Sequence, residues 1–273
     1  GQIRPESIVH FQSKPEVQEI IPVVFIDFRV LYLLNEVPVP ELSDKIVKLI
    51  MQIASANQIR YDQVQIDCDW TESTKDVYFN LLKQLKKQLP SKQLSGTIRL
   101  HQIRYSEKTG IPPADRGMLM YYNMGDYSED GLANSILSNK EGVKYLVKAN
   151  EYPLSLDMAL PVYLWSVVFR NKIPVDILHK TGSAQMDSLK ELKQFRKDLY
   201  YVQSPLYFHG SYLQPGDLIK CEMVSGSELK RSAEILSQNF KKENRSIVYF
   251  ELDEKYLQNF SPEELLAVVH SCN

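Results

Sequence analysis

The sequence predicts an α/β fold, a (β/α)8 TIM-type barrel that lacks its first strand or carries it truncated. Two observations lead there: short apolar runs alternate with helix-period segments almost from end to end, and alternate positions within several of those runs are polar. Strands that alternate with helices form parallel sheets, because parallel neighbours need long crossover connections. The 273 residues suit one barrel domain, 1–273, and are ample for a sizeable core.

In chain order, Ile21–Asp27 (IPVVFID) reads as a strand, and Leu42–Ala56 carries Ile46, Val47, Ile50, Met51 and Ala54 at helical spacing. Gln63–Trp70 is the next strand, followed by a helix over Asp76–Leu89 that Ser73 can cap. Leu94–His101 and Arg116–Asn123 are the third and fourth strands. Helices over Asp130–Leu137 and Glu141–Ala149 follow, then a fifth strand at Pro153–Pro161. An excursion at about 162–216 holds a hairpin, a helix over Met186–Lys197 and a Tyr-rich loop. Gly216–Val224 and Ser246–Glu251 are strands six and seven, each with a helix behind it, Ser227–Phe240 and Ser261–Val269. Seven strands plus one more would close the barrel. Only seven are countable, so the expectation is that an N-terminal strand lies upstream of Gly1 or is missing; the start Gly1-Gln2, without an initiator methionine, also leaves room for a removed leader. A doubly wound nucleotide fold is disfavoured because IPVVFIDFRVL contains no glycine to cradle a phosphate.

Composition narrows the partners. With 32 basic and 34 acidic residues, a net charge of -2 and no sustained basic run, nucleic acid and anionic membranes are poor partners. No apolar run reaches the ~18 residues of a membrane span. Cys68, Cys221 and Cys272 lack metal spacing and read as small core residues, so neither a metal nor another cofactor is expected. Oligomeric state is not encoded in these patterns.

Side chains alternate across a strand, and in a barrel one parity faces the helices and the other the lumen. In VQIDCDW the apolar parity is Val64, Ile66, Cys68 and Trp70, which leaves Gln65, Asp67 and Asp69 in the lumen. The same test turns Thr97, Arg99 and His101 inward in TIRLH, and Ser155, Asp157 and Ala159 in PLSLDMALP. It also turns Lys220 and Glu222 inward in DLIKCEMV, and Tyr249 and Glu251 in SIVYFE. Barrel active sites lie at the carboxyl ends of the strands, where Asp69, His101, Asn123, Glu222 and Glu251 fall. Carboxylates lining one cleft split their pKa values into a proton donor and an ionised partner, as glycosidic hydrolysis requires. The structural alternative is that Arg99 and Lys220 simply neutralise these acids. A metal-dependent hydrolase using Asp67, Asp69 and His101 is the weakest of the readings, because the sequence has no HxH spacing.

Three short elements resemble the chitinase-type (family 18) glycoside hydrolases. That family's acidic DxDxE strand end is matched by Asp67-Cys68-Asp69-Trp70-Thr71, its Met-x-Tyr-Asp element by Met120-Tyr121-Tyr122-Asn123, and its Gly-Leu-Pro-x-Tyr element by Ala159-Leu160-Pro161-Val162-Tyr163. The IDCDW-like strand is also similar to that of an uncharacterised group of exported bacterial proteins, often lipoproteins. The resemblance implies a glycoside hydrolase-like barrel that acts on or binds an oligosaccharide. Asp67, Asp69, Glu222 and Glu251 are its candidate acids, and His101, Tyr122, Asn123, Asp157, Tyr163 and Trp165 its candidate sugar contacts. It further implies export to the periplasm or cell surface, with a lipid anchor as one form. Two departures matter: Thr71 stands where the family has its proton-donating glutamate, and Asn123 where it has aspartate. A threonine hydroxyl has no useful acidity near neutral pH, so a carbohydrate-binding barrel without turnover is the alternative. Strand counting adds a discrepancy, because Asp67 falls on a third strand and the family's motif lies on the fourth.

Overall fold

The computed structural model describes residues 4–34, 38–127 and 134–272. The chain falls into two compact units, Gly1–Leu119 with Tyr152–Asp157, and Met120–Glu151 with Met158–Asn273.

The first unit contains β1 (Val23–Ile26), α1 (Phe28–Leu33), α2 (Val39–Ala56), β2 (Gln63–Cys68), α3 (Lys75–Gln88), β3 (Gln93–Arg99), α4 (Leu100–Arg104) and α5 (Ser106–Thr109), and β4 (Arg116–Met120) runs out of it. β2 pairs in parallel with β1 and with β3. α2 buries Leu42, Ile46, Val47, Ile50 and Ala54 at the expected spacing. α3 buries Tyr78, Leu81, Leu82 and Leu85 completely, each such side chain contributing about 1.5–3 kcal/mol. Lys86 and Lys87 occupy its last turn, where cations suit the negative end of the helix. Trp70, just past β2, stacks on Tyr78 with ring centroids 5.1 Å apart and donates its indole N–H to Thr109 O at 2.9 Å. Thr74, not Ser73, occupies the N-cap of α3; the Ser73 hydroxyl meets Thr71 Oγ1 at 2.9 Å instead.

The second unit contains α6 (Asn139–Gly142), β5 (Leu156–Pro161, from Met158 on), β6 (Trp165–Arg170), β7 (Ile173–His179), α7 (Ser183–Asp187), β8 (Leu192–Arg196), β9 (Leu199–Val202), β10 (Leu206–Phe208), β11 (Ser211–Leu213), β12 (Leu218–Glu222), α8 (Gly226–Asn239), β13 (Ile247–Phe250), α9 (Glu254–Leu257) and α10 (Pro262–Cys272). β13 pairs in parallel with β5. β6, β7, β8, β9 and β12 form a separate antiparallel sheet in the order β7-β6-β12-β9-β8. Its core is Val168, Leu178, Tyr200, Val202 and Ile219, closed by Met186 and Leu213. α8 begins on a reciprocal cap: Glu228 N donates to Ser225 Oγ at 3.2 Å and Ser225 N to Glu228 Oε2 at 2.9 Å.

The barrel-type sheet has the hydrogen-bonded order β1-β2-β3-β4-β5-β13, six strands among the described residues. The α/β class with a parallel sheet therefore holds, whereas an eight-stranded closure is not formed by the described residues. Gly216–Val224 was expected as a strand of this sheet; β12 instead lies in the antiparallel sheet, between β6 and β9. Its alternating pattern serves either sheet equally, so periodicity alone does not choose. The helix expected over Met186–Lys197 is the short α7 followed by β8, because pairing with β9 (Leu192 opposite Val202, Lys193 opposite Tyr201) overrides a weak local helix preference. Of the helix expected at Asp130–Leu137, residues 130–133 lie outside the described residues and 134–137 are irregular. Glu141–Ala149 breaks into α6 and a turn of 3-10 helix at Val143–Tyr145.

Candidate functional site

The residues singled out from the sequence fall into two sets, one per unit. In the first unit, strand parity places Val64, Ile66 and Cys68, with Trp70 beyond them, in the core. The opposite parity forms a polar ladder between β2 and β3. Gln63 Nε2 donates to Ser95 Oγ at 2.8 Å, Thr97 Oγ1 to Asp67 Oδ1 at 2.8 Å, and Arg99 Nε to Asp69 Oδ1 at 2.5 Å, with Arg99 Nη2 closing the second bond to Asp69 Oδ2. Burial pushes the Asp67 carboxyl above its ordinary range, against the Thr97 hydrogen bond that favours the ionised form. Asp69 is held at two points by a planar guanidinium, the strongest geometry such a pair adopts.

His101 was expected at the end of the third strand. It lies instead in α4 and is exposed, because Gln102 Oε1 accepts from Arg99 N at 2.7 Å and turns the chain into a helix there. Although the residue as a whole is exposed, desolvation of the covered side of its ring and then the Arg99 charge hold the imidazole below the usual range. Asp67, Asp69 and His101 do not form a metal-holding cluster; no three such ligands gather among the described residues. Asp157 is buried and accepts from Arg116 Nη2 at 2.8 Å and Nε at 3.1 Å. Past β2 the chain turns at Thr71–Thr74, where Thr71 N donates to Thr74 Oγ1 at 2.9 Å and Glu72 is exposed.

In the second unit, Tyr122, Asn123, Tyr163 and Trp165 come together with Phe250. Tyr122 lies flat on Phe250, ring centroids 5.4 Å apart and planes 7° from parallel. Tyr163 stands edge-on to both rings, at 6.0 Å from each, and 5.3 Å from Trp165. Its hydroxyl donates to Asn123 Oδ1 at 2.5 Å. Asn123, past the end of β4, sits at φ 54°, a left-handed conformation that asparagine tolerates better than most residues. Tyr122, Tyr163 and Trp165 are nearly buried, whereas Phe250 and Tyr127 are 42% and 43% exposed. Tyr127 lies 6.4 Å from Trp165, so the accessible aromatic surface of this cluster is Phe250 and Tyr127, and the three rings predicted as contacts support it.

Glu222 is buried, and its Oε2 accepts from Trp165 Nε1 at 3.0 Å, from Ser135 N at 3.0 Å and from the Ser135 hydroxyl. Its Oε1 lies 2.7 Å from Lys220 Nζ. A carboxylate so surrounded by donors is held in place, and it fixes the Trp165 indole in one orientation. The Tyr127 hydroxyl is pushed up, by burial first and by the Glu222 charge second.

Tyr249 and Phe250 exchange the faces expected of them: the Tyr249 hydroxyl donates to Leu265 O of α10 at 2.6 Å, so Tyr249 faces the helices. Both residues are aromatic, so the polar contrast that fixes parity elsewhere is missing here. Glu251 is partly buried just past β13; burial first and then the Glu251 charge push the Tyr256 hydroxyl up, and the Lys180 ammonium is raised first by its bond to Asp253, with Glu251 adding a minor part. Lys180 donates to Asp253 Oδ2 at 2.6 Å. Sequence reasoning missed Phe250, Tyr127, Ser135 and Lys180. For Phe250 the usable signal was the aromatic pair Tyr249-Phe250 at a strand end; the other three sit in loops that periodicity does not order.

No protein-family model matches the chain, and no curated protein sequence matches it. No helix of the described residues is long and apolar enough to cross a membrane. Among solved structures the chain is similar to the spore cortex-lytic enzyme SleL of Bacillus cereus, at 15% identity and a TM-score of 0.56, over 93% of this chain and 60% of that one. It is also similar to a mutant GH18 chitinase of Cycas revoluta in complex with (GlcNAc)4, at 9% identity and a TM-score of 0.53, over 85% of this chain and 76% of that one. The chain thus spans less than two thirds of the length of the cortex-lytic enzyme. At these identities the likeness is one of fold, and the fold is the α/β chitinase-like type.

Proposed function

We propose that this chain is a carbohydrate-binding protein of chitinase-like fold that holds an N-acetylglucosamine oligosaccharide without cleaving it. The aromatic cluster of the second unit carries the reading: Phe250 and Tyr127 are partly exposed, with Tyr122, Tyr163 and Trp165 locked behind them by Asn123 and Glu222. Ring faces suit the apolar faces of pyranoses, and fixed rings lose little freedom on binding. The absence of turnover is inferred from the first unit. Thr71 stands at the donor position with its hydroxyl 2.9 Å from Ser73 Oγ and 3.2 Å from Thr74 Oγ1. Asp69 and Asp157 are each paired with an arginine, as Glu222 of the second unit is with Lys220, so these acids already have structural partners. The ligand class follows the chitinase relative in complex with (GlcNAc)4. Export to the periplasm or cell surface, with or without a lipid anchor, accompanies this reading and is checked by fractionating cells that make the native gene product.

A second reading, hydrolysis, is favoured by the raised Asp67 carboxyl and by Glu72, which the turn after β2 exposes. Calorimetric titration with (GlcNAc)4 alongside a reducing-end assay separates the two. Saturable heat with no new reducing ends is the expected result. Reducing ends that grow in proportion to protein and vanish in Glu72→Gln would establish hydrolysis instead, and silence across a glycan panel would remove both.

A further inference from the structure

Near the start of β13, at the other end of that strand from Phe250, lies a cavity of about 310 Å³. It is lined by Ser237 in the last turn of α8, by the segment Lys241–Arg245 and by Cys272 at the end of α10, all in the second unit. Arg245 stands two residues ahead of β13, and the three steps from Ile247 to Phe250 alone span about 10 Å. The cavity is therefore distinct from the aromatic cluster.

Arg245 calls for an occupant. Its side chain is 2% exposed, as deep as a core residue. Arg99, Arg116 and Arg170 each meet a carboxylate at two points. Arg245 instead has Glu243 Oε1 at 3.9 Å from its Nη2, beyond hydrogen-bond range. Nη2 donates to Lys241 O, whereas Nη1 is closed off from solvent and has no hydrogen-bond partner among the described residues. A guanidinium buried with a donor unspent is costly, and an anion is the group that would complete it.

The surroundings fit the same ligand. The Lys241 and Lys242 side chains and the Ser237 hydroxyl make no hydrogen bond or ion pair among the described residues. The lining thus sets three cations and a spare hydroxyl against one carboxylate, that of Glu243. The negative end of α8 opposes an anion, and the three cations outweigh it. A carboxylate ligand would bring two oxygens and one charge, too few for these donors. A phosphoryl group brings three free oxygens and a charge of about -1.5 to -2 near neutral pH. The volume equals roughly ten waters at about 30 Å³ each, room for a phosphoryl group on a short carrier.

We propose that this cavity binds a phosphoryl group, as inorganic phosphate or a small phosphate monoester, through Arg245, Lys241 and Lys242. The site is independent of the carbohydrate reading. Calorimetric titration tests it, with inorganic phosphate, glycerol 3-phosphate and acetate added at one ionic strength to the full chain, to Arg245→Gln and to Lys241→Ala/Lys242→Ala. Both lysines are exposed, so the double variant tests the site even where Arg245→Gln fails to fold. Both phosphates are expected to bind the native chain saturably, with acetate at least about tenfold weaker. The lysine variant should weaken phosphate about tenfold and Arg245→Gln more. In thermal melts phosphate should raise the native midpoint by a few degrees over chloride and leave Arg245→Gln unmoved. Tighter binding of glycerol 3-phosphate supports the site as one for an ester, and tighter inorganic phosphate supports it as one for the free anion. A native chain without saturable phosphate heat, an unchanged phosphate affinity in the lysine variant, or acetate binding as tight as phosphate overturns the proposal.

Discussion

Replacing Glu222 by Gln tests whether this carboxylate organises the second unit or serves as a reacting acid. Glu222 and Lys220 side chains are 2% and 5% exposed, and the pair is 2.7 Å apart. At that separation, with an effective dielectric constant of about 20, the attraction is roughly 6 kcal/mol before desolvation is counted. Removing one member of a buried pair typically costs about 3–5 kcal/mol. Glutamine keeps the volume but loses the charge, and its NH2 meets either Lys220 or the three donors from Ser135 and Trp165. The expected loss for Glu222→Gln is therefore about 3–5 kcal/mol, and a similar loss is expected for Lys220→Met. The double variant should cost well under the sum, with a coupling of about 2 kcal/mol or more. Urea unfolding followed by Trp165 emission in a Trp70→Phe background reads the second unit, because these are the chain's two tryptophans and each unit holds one. Single-variant losses below about 1 kcal/mol, or simple additivity, would refute the network and return Glu222 to the list of candidate acids.

Four further outcomes are expected. Phe250→Ala should weaken (GlcNAc)4 binding about tenfold by titration while moving the melting temperature little, because the ring is half open to solvent. Burial raises the Asp217 carboxyl, but two 2.8 Å bonds from Arg170 and one from Gln214 N outweigh it, and the net shift is downward. Its stabilisation is thus complete above the unfolded value of about 4 and lost as pH falls through the folded one, so urea titrations should show the Asp217→Asn penalty at pH 7 shrinking in acid. Tyr78→Phe should be neutral or stabilising by about 1 kcal/mol in a thermal melt, since the fully buried hydroxyl has no partner among the described residues and the ring keeps its stacking on Trp70. Gly117→Ala should destabilise by about 1–3 kcal/mol, because a Cβ there would sit 2.5 Å from Leu156 Cδ2 and 2.9 Å from Ile98 Cγ1.

The strands of the parallel sheet and the longer helices were legible in the sequence because one face of each is apolar and the other is not. VQIDCDW shows this best: its two aspartates break an otherwise apolar strand at alternate positions, and the structure answers each with a polar group on β3, Thr97 for Asp67 and Arg99 for Asp69. Where that contrast fails, so does the reading. In Tyr249-Phe250 both candidates are aromatic, and only the carbonyl of Leu265 decides which one turns to the helices. In Leu192–Arg196 the single buried-side residue, Leu192, fits a helix as well as a strand, and the partner strand β9 decides. The aromatic cluster was half legible: its supporting rings lie in motifs, but the two open rings are set by what covers them, which one segment read alone does not reveal.

The sheet order also changes what the acidic strand means. Counted from the sequence, with Gly216–Val224 taken as a member of the sheet, Asp67 falls on a third strand, whereas the family motif it resembles belongs on the fourth. The structure removes β12 to the antiparallel sheet, where it pairs with β6 and β9. If β13 is numbered as the eighth strand of a barrel, then β5, β4, β3 and β2 are the seventh, sixth, fifth and fourth. On that numbering Asp67 and Asp69 stand on a fourth strand. On the binding reading proposed above, Thr71 is the position where turnover is lost. Restoring it by Thr71→Glu is therefore informative: new reducing ends from (GlcNAc)4 would show that the remaining carboxylates are still arranged for hydrolysis. Continued binding without cleavage would show that the Asp69–Arg99 pair has fixed this strand in a purely structural role.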